Sequence, residues 1–260
     1  EQAPVSYQSD GQKVPTKFRL KQSTLTYAID DYEGALLIDP LLSWGTYFGG
    51  TDLDYGYMMA TDGSGNVYMS GYTKSTSAIA TTGAYKTVLA GGNDAFLAKF
   101  SNTGTLLWAT YFGGSGDDRA FNLALDGLGN IYMVGGTNST SGIATAGAYH
   151  TTSNSDDAFL AKFSSSGSLL WATYFGGPSW SDDAYGVATD ASGNVFIGGH
   201  SLAPTGVATT GAYQTSNAGS YDAFVAKFNS SGAIQWATYY GGPNKDYFYG
   251  LATDASGKVY

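Results

Sequence analysis

The 260-residue sequence contains no cysteine, which removes thiolate nucleophiles, Cys-ligated zinc and disulfide staples and leaves the redox compartment open. Histidine is nearly absent as well. The two present, His150 and His200, have no counterpart at the matching place elsewhere in the chain, and a lone loop histidine reads as a solvated side chain. Charge is scarce, with 13% of residues charged, 12 basic against 21 acidic, and a net charge of -9. Affinity for nucleic acid rests on Lys and Arg neutralising phosphates, so a nucleic-acid partner is not expected. No apolar run approaches the roughly 18 to 20 residues of a membrane span. Glu1 opens no signal-peptide pattern, and no segment holds a helical period over ten residues.

What is abundant is glycine and tyrosine, 37 and 21 residues, within a composition that is 43% hydrophobic and 15% aromatic. That balance favours many short strands joined by tight turns around a packed core. The expected class is all-β. From Ser43 onward every acidic residue is Asp, a residue that caps turns through its own side chain.

The chain repeats itself. Asp recurs in D-x-x-G turns at 62, 126, 190 and 254; Trp at 44, 108, 171 and 236; and Gly-Ala-Tyr triplets begin at 83, 147 and 211. A period of about 64 residues sustained in three independent registers dictates the architecture. Within the second copy, four strands are expected. The first runs from Arg119 to Asp126, with Ala124 matching Ala60, Ala188 and Ala252 as the small residue of a crowded inner strand. After the turn Asp126-Gly127-Leu128-Gly129-Asn130 comes Ile131 to Gly136, apolar on both faces and so fully buried. A long Ser/Thr/Gly/Ala loop leads to Asp157–Phe163, a Ser-Ser-Ser-Gly turn and Leu169–Phe175. Two hairpins joined by a longer loop make one four-stranded antiparallel blade of a β-propeller. The recurring Trp is most simply core, since a buried aromatic removes about 150 to 250 Å² from water.

The strings DAFLAKF (94–100 and 157–163), WATYFGG (108–114 and 171–177) and DASGNVF (190–196) together resemble the seven-bladed β-propeller (SBBP) repeat family of bacterial surface and secreted proteins. The resemblance covers Leu41 to Tyr260. It implies a closed propeller in an exported, extracellular or cell-surface protein of several domains. Residues 1–42 look like the remnant of a β-rich domain that often precedes such repeats, and 43–260 form the repeats themselves. Ser43–Phe48 has the pattern of a fourth strand arriving before any first strand, and the last copy stops inside its second strand. The native chain is therefore expected to be longer, and an open arc of blades would expose apolar faces and unpaired edges.

Two sets of residues invite a functional reading. The loops after each Gly-Gly pair carry Asp52 and Asp54, Asp117 and Asp118, Asp182 and Asp183, and Asp246. They precede the inner strands, so Asp54, Asp118, Asp183 and Asp246 are candidate calcium ligands around one mouth of a central channel; the alternative is that each caps its own turn. No D-x-D-x-D-G loop is present. The third copy also carries Pro178-Ser179-Trp180-Ser181, which places Trp180 beside Asp182 and Asp183 as a candidate glycan-stacking or partner-anchoring group. Its alternative is packing on the neighbouring blade. Catalysis finds little support: the repeats hold a single Arg, Arg119, and paired Asp run glycoside hydrolysis only when held about 5 to 9.5 Å apart across a sugar. The expected function is a non-enzymatic scaffold for adhesion, binding a surface glycan or a protein, with the outer-membrane secretion machinery a further partner implied by the resemblance. A structural spacer or secretion cargo, and a carbohydrate-active enzyme, are the competing readings.

Overall fold

The computed structural model describes residues 5–8, 12–21, 24–29, 36–39, 43–153, 156–178, 181–254 and 257–260. Among them there is no helix, and hence none long and apolar enough to cross a membrane. The chain divides into two compact units, Glu1–Thr46 and Tyr47–Tyr260, a boundary four residues beyond the one expected at 42/43. In the first unit, β1 (Val5–Gln8) pairs antiparallel with both β2 (Lys13–Val14) and β5 (Leu36–Asp39), while β3 (Thr16–Lys21) and β4 (Thr24–Ile29) form a hairpin.

The second unit holds three four-stranded antiparallel sheets. They are β6 (Asp54–Thr61), β7 (Val67–Thr73), β8 (Asp94–Phe100) and β9 (Leu106–Phe112); β10 (Asp118–Leu125), β11 (Ile131–Thr137), β12 (Asp157–Phe163) and β13 (Leu169–Phe175); and β14 (Asp182–Thr189), β15 (Val195–Ser201), β16 (Asp222–Phe228) and β17 (Ile234–Tyr240). Spatial order follows chain order in each, and the strands expected in the second copy agree to within one residue. All seven residues of β11 are buried, as its two-faced apolar pattern requires. Among the described residues of the fourth copy, Thr253 and Val259 form an isolated bridge, and Ala252 and Tyr260 exchange backbone hydrogen bonds at 3.0 and 2.9 Å.

Turn chemistry explains the hairpins. Asp62 Oδ1 accepts from Ser64 N at 2.9 Å and Asn66 N at 3.0 Å, while Gly65 sits at φ 78°, a conformation that costs other residues and not glycine. Asp126 with Gly129 and Asp190 with Gly193 repeat the device. Each first strand then kinks at a bulge, between Gly56 and Met58, Ala120 and Asn122, and Ala184 and Gly186.

Consecutive sheets pack with their first strands adjacent: β10 touches β6, β7 and β8, and β14 touches β10, β11 and β12. One ring pattern makes the seam. Phe112 of β9 meets Phe159 and Phe163 at 5.2 and 5.7 Å, and Phe175 of β13 meets Phe224 and Phe228 at 5.1 and 5.8 Å. Phe48 meets Phe96 and Phe100 in the same way, at 5.2 and 5.6 Å. Ser43–Phe48 nevertheless forms no strand. It keeps the side-chain contact of a fourth strand through Phe48.

The recurring Trp lies at the outer end of the seam instead of deep in the core. Trp108 and Trp171 are half-buried, and their indole N–H groups donate to Ser165 O at 3.2 Å and Ser230 O at 3.1 Å in the turn of the following sheet. That turn can come so close because it ends in Gly167 or Gly232, where a Cβ would stand 2.9 Å from the indole. Trp236, with no such turn against it, is 38% exposed.

The fourth strand is the outer edge of each sheet, and the long loop covers it. Thr81 N donates to Ala109 O at 2.9 Å, Lys86 N to Thr110 Oγ1 at 2.9 Å and Tyr111 N to Lys86 O at 3.1 Å. Thr145 with His150, and Thr209 with Gln214, do the same on β13 and β17. An unpaired strand edge invites pairing with other chains, which accounts for the regularity of these loops.

Candidate functional site

The Asp at the start of each first strand is a cap. Asp54 Oδ2 accepts from Gly50 N at 2.8 Å, Asp118 Oδ2 from Gly114 N at 2.7 Å, Asp182 Oδ2 from Gly177 N at 2.9 Å and Asp246 Oδ2 from Gly242 N at 2.8 Å. Hydroxyls at the end of the second strand and two residues past it complete the set: Thr73 and Ser75 for Asp54, Thr137 and Ser139 for Asp118. The Gly-Gly pair follows from this geometry. A Cβ on Gly49, Gly113 or Gly176 would collide with the capping carboxylate, and one on Gly50, Gly114 or Gly177 with the carbonyl of Ser77, Ser141 or Thr205. Asp118 and Asp182 are buried, and burial raises both carboxyls, Asp182 to about 7.

Of the candidate calcium set, Asp54, Asp118 and Asp246 are thus separate caps in the first, second and fourth copies. Asp183 is one residue beyond the cap of its own copy. Among the described residues no three His, Asp or Glu side chains converge to hold an ion. Trp180 lies outside the described residues, and Asp182 faces its own turn.

The side chains that do gather are aromatic. Tyr55 stacks on Tyr72 at 4.9 Å, Tyr57 reaches Tyr72 at 5.8 Å and Phe121 at 5.6 Å, and Phe121 stacks on Tyr185 at 4.8 Å with the planes 11° apart. Tyr185 continues to His200 at 4.9 Å, and His200 to Tyr221 at 4.9 Å and Tyr247 at 5.3 Å. Eight rings therefore form a track across the first strands of all three sheets and into the fourth copy. His200 is not a solvated loop residue: it lies half-buried in β15 opposite Asp183, and burial lowers its pKa, favouring the neutral ring. His150 is also half-buried, stacked on Tyr149 at 4.2 Å.

The Phe121–Tyr185 stack separates two cavities. One, of about 450 Å³, is lined by Met58, Asn122, His200, Tyr247, Phe248 and Tyr249 besides the pair itself. The other, of about 280 Å³, is polar and contains Asp117, Arg119, Asn138, Asp156 and Asp183. Arg119 pairs with Asp117 at 3.7 Å and lies 5.3 Å over the Tyr72 ring. Tyr185 Oη donates to Asp183 at 3.3 Å, and burial raises the Asp183 carboxyl. Asp183 fits there because its partner across the seam is Gly136, whose missing Cβ leaves room for the carboxylate. The signal for this site in the sequence is variation between copies. Tyr55, Arg119, Asp183 and Tyr247 occupy one repeat position, and Tyr72, Gly136 and His200 another.

Comparison with known proteins places these sheets. The family model for the SBBP β-propeller repeat matches residues 43–77, 107–143 and 170–204, each match opening in a fourth strand or its equivalent and running into the next sheet. An uncharacterized WD repeat-containing protein of Acanthamoeba polyphaga mimivirus is 27% identical over 174 residues, 55% of this chain. The match spans 12% of that relative's length.

Proposed function

Since the chain carries SBBP β-propeller repeats, we propose that its sheets are blades of a propeller that serves as a non-enzymatic adhesion scaffold on the bacterial exterior, gripping a segment of a partner protein along the aromatic track. The observation that carries this reading is the track itself: eight touching rings drawn from three sheets and the fourth copy, flanked by the one Arg of the repeats and by Asp117, Asp156 and Asp183. Tyr and Arg dominate binding hot spots because they offer large, stiff contact surfaces with a polar end. A repeat needs the same residue at the same place for packing. Residues that depart from the repeat at Arg119, Asp183, Tyr72 and His200 have no such duty, which supports a ligand in their place.

The test is a library of surface-protein peptides probed with the wild-type chain and with Phe121→Ala/Tyr185→Ala. Loss of two stacked anchors is expected to weaken the best peptide by about 30-fold or more, as hot-spot truncations of about 2 kcal/mol do. A structural spacer or secretion cargo would bind no peptide through these residues. Equal binding by both proteins, or none by either, would overturn the proposal.

A further inference from the structure

Two clefts at the outer ends of the seams repeat each other. One, of about 390 Å³, is floored by Trp108 and walled by Gly83, Tyr85 and Thr110 of the first sheet and by Gly167 and Ser168 of the second. The other, of about 400 Å³, has Trp171, Gly147, Tyr149 and Thr173 facing Gly232 and Ala233. These volumes are at the small end of ligand pockets.

Edge protection explains only part of each loop. It engages Thr81 and Lys86, or Thr145 and His150, through their backbone and hydroxyl groups. It leaves the loop tips open and, in the first cleft, part of the Tyr ring; Tyr149 of the second is half-buried against His150, Phe175 and Phe228. A Cβ on Gly83 or Gly147 would meet nothing within 4 Å, and Tyr85 is 45% exposed, touching Phe163 only edge-on at 6.1 Å. No charged residue lines either cleft. Each indole N–H is already bonded to a turn carbonyl, so the Trp offers the part of its ring that the Gly167 or Gly232 turn leaves uncovered, and not its donor.

An uncharged cleft with an aromatic floor, a Tyr in its wall, bare glycine backbone and Thr or Ser hydroxyls at the rim suits a flat, neutral, polyhydroxylated ring. We infer that the clefts at Trp108 and Trp171 are a pair of equivalent subsites for single hexose units of a neutral glycan, apart from the axial aromatic track. Two such sites on one chain raise the hold on a polymer well above that of either alone, through effective concentration.

The test is an NMR titration of the ¹⁵N-labelled chain with cellotetraose, laminaritetraose and mannotetraose at millimolar concentrations, following the indole N–H signals of the five Trp. Two signals, from Trp108 and Trp171, are expected to move with at least one sugar. Ser166 and Ser231 are exposed on the turn walls, so Ser166→Arg should abolish the first shift only, Ser231→Arg the second only, and the double variant both, with circular dichroism unchanged. Phe121→Ala/Tyr185→Ala should leave both shifts intact, which separates this inference from the partner-binding track. No shift with any of the three sugars, shifts that survive the double arginine variant, or shifts lost in the Phe121/Tyr185 variant would overturn it.

Discussion

Asp182 shows how one residue serves the fold and carries a cost. Its carboxylate receives Gly177 N–H and faces Ser201, yet burial dominates and lifts its pKa from 3.8 to about 7. Asp118 and Asp183 are raised for the same reason. Between the ordinary and the raised value the folded chain holds the proton more tightly than the unfolded one, so stability falls as pH rises through that interval and is level above it. The turn residues Asp62 and Asp190 are lowered, and their contribution is lost only below about pH 4, outside the window. The half-buried His150 and His200, whose pKa values burial lowers, pull the other way below about pH 6.5, so the contribution of Asp182 is read as a difference between proteins. Going from pH 5 to pH 8 should cost the wild type more stability than Asp182→Asn, by an amount on the order of a few kcal/mol, since each unit is worth about 1.4 kcal/mol. A scanning calorimetry series in which the two proteins show the same pH dependence would contradict the assignment.

The sheets owe their independence to short-range devices, and the seams to a few rings between them. Trp171 closes a seam against Gly232 while Trp236 has no turn to close against, so the same substitution should differ by place. Trp171→Ala is expected to cost about 2 to 3 kcal/mol, less than the 3 to 5 of a fully buried aromatic, and Trp236→Ala about 1 kcal/mol or less; urea denaturation measures both. Much of this level was legible beforehand. The period, the strand limits and the glycines of the Asp turns follow from local chemistry, so three sheets were readable from residues alone. The position of Trp was not, because the same aromatic suits a core or a seam until the Gly turn of the next sheet is seen against it. The aromatic track was hidden for a related reason. Tyr57, Phe121 and Tyr185 lie 64 residues apart and read as strand packing, and only the association of the sheets brings their rings together with His200. The capping Asp has the opposite ambiguity: carboxylates at a regular spacing resemble a ligand ring, whereas Asp54, Asp118, Asp182 and Asp246 each accept a backbone N–H of their own Gly-Gly turn.

At the scale of the whole molecule, adjacent sheets meet through side-chain packing and local hydrogen bonds, with the carboxylates of Asp54, Asp118 and Asp182 already bonded inside their own copies. Removal of divalent ions should accordingly leave thermal unfolding within about 1 °C, where the loss of an ion present well above its dissociation constant would move it by several degrees. A shift of that size on adding a chelator would show that an ion does couple the sheets.

The identical Phe triads at successive seams also decide how the protein answers to force. A sheet that packs chiefly on its neighbours can detach with little disturbance to those further along. Under tension from its two ends the three-sheet unit should lengthen in steps of nearly equal size, each releasing one copy of stored chain, so that a tether built from it absorbs a pull gradually before it parts.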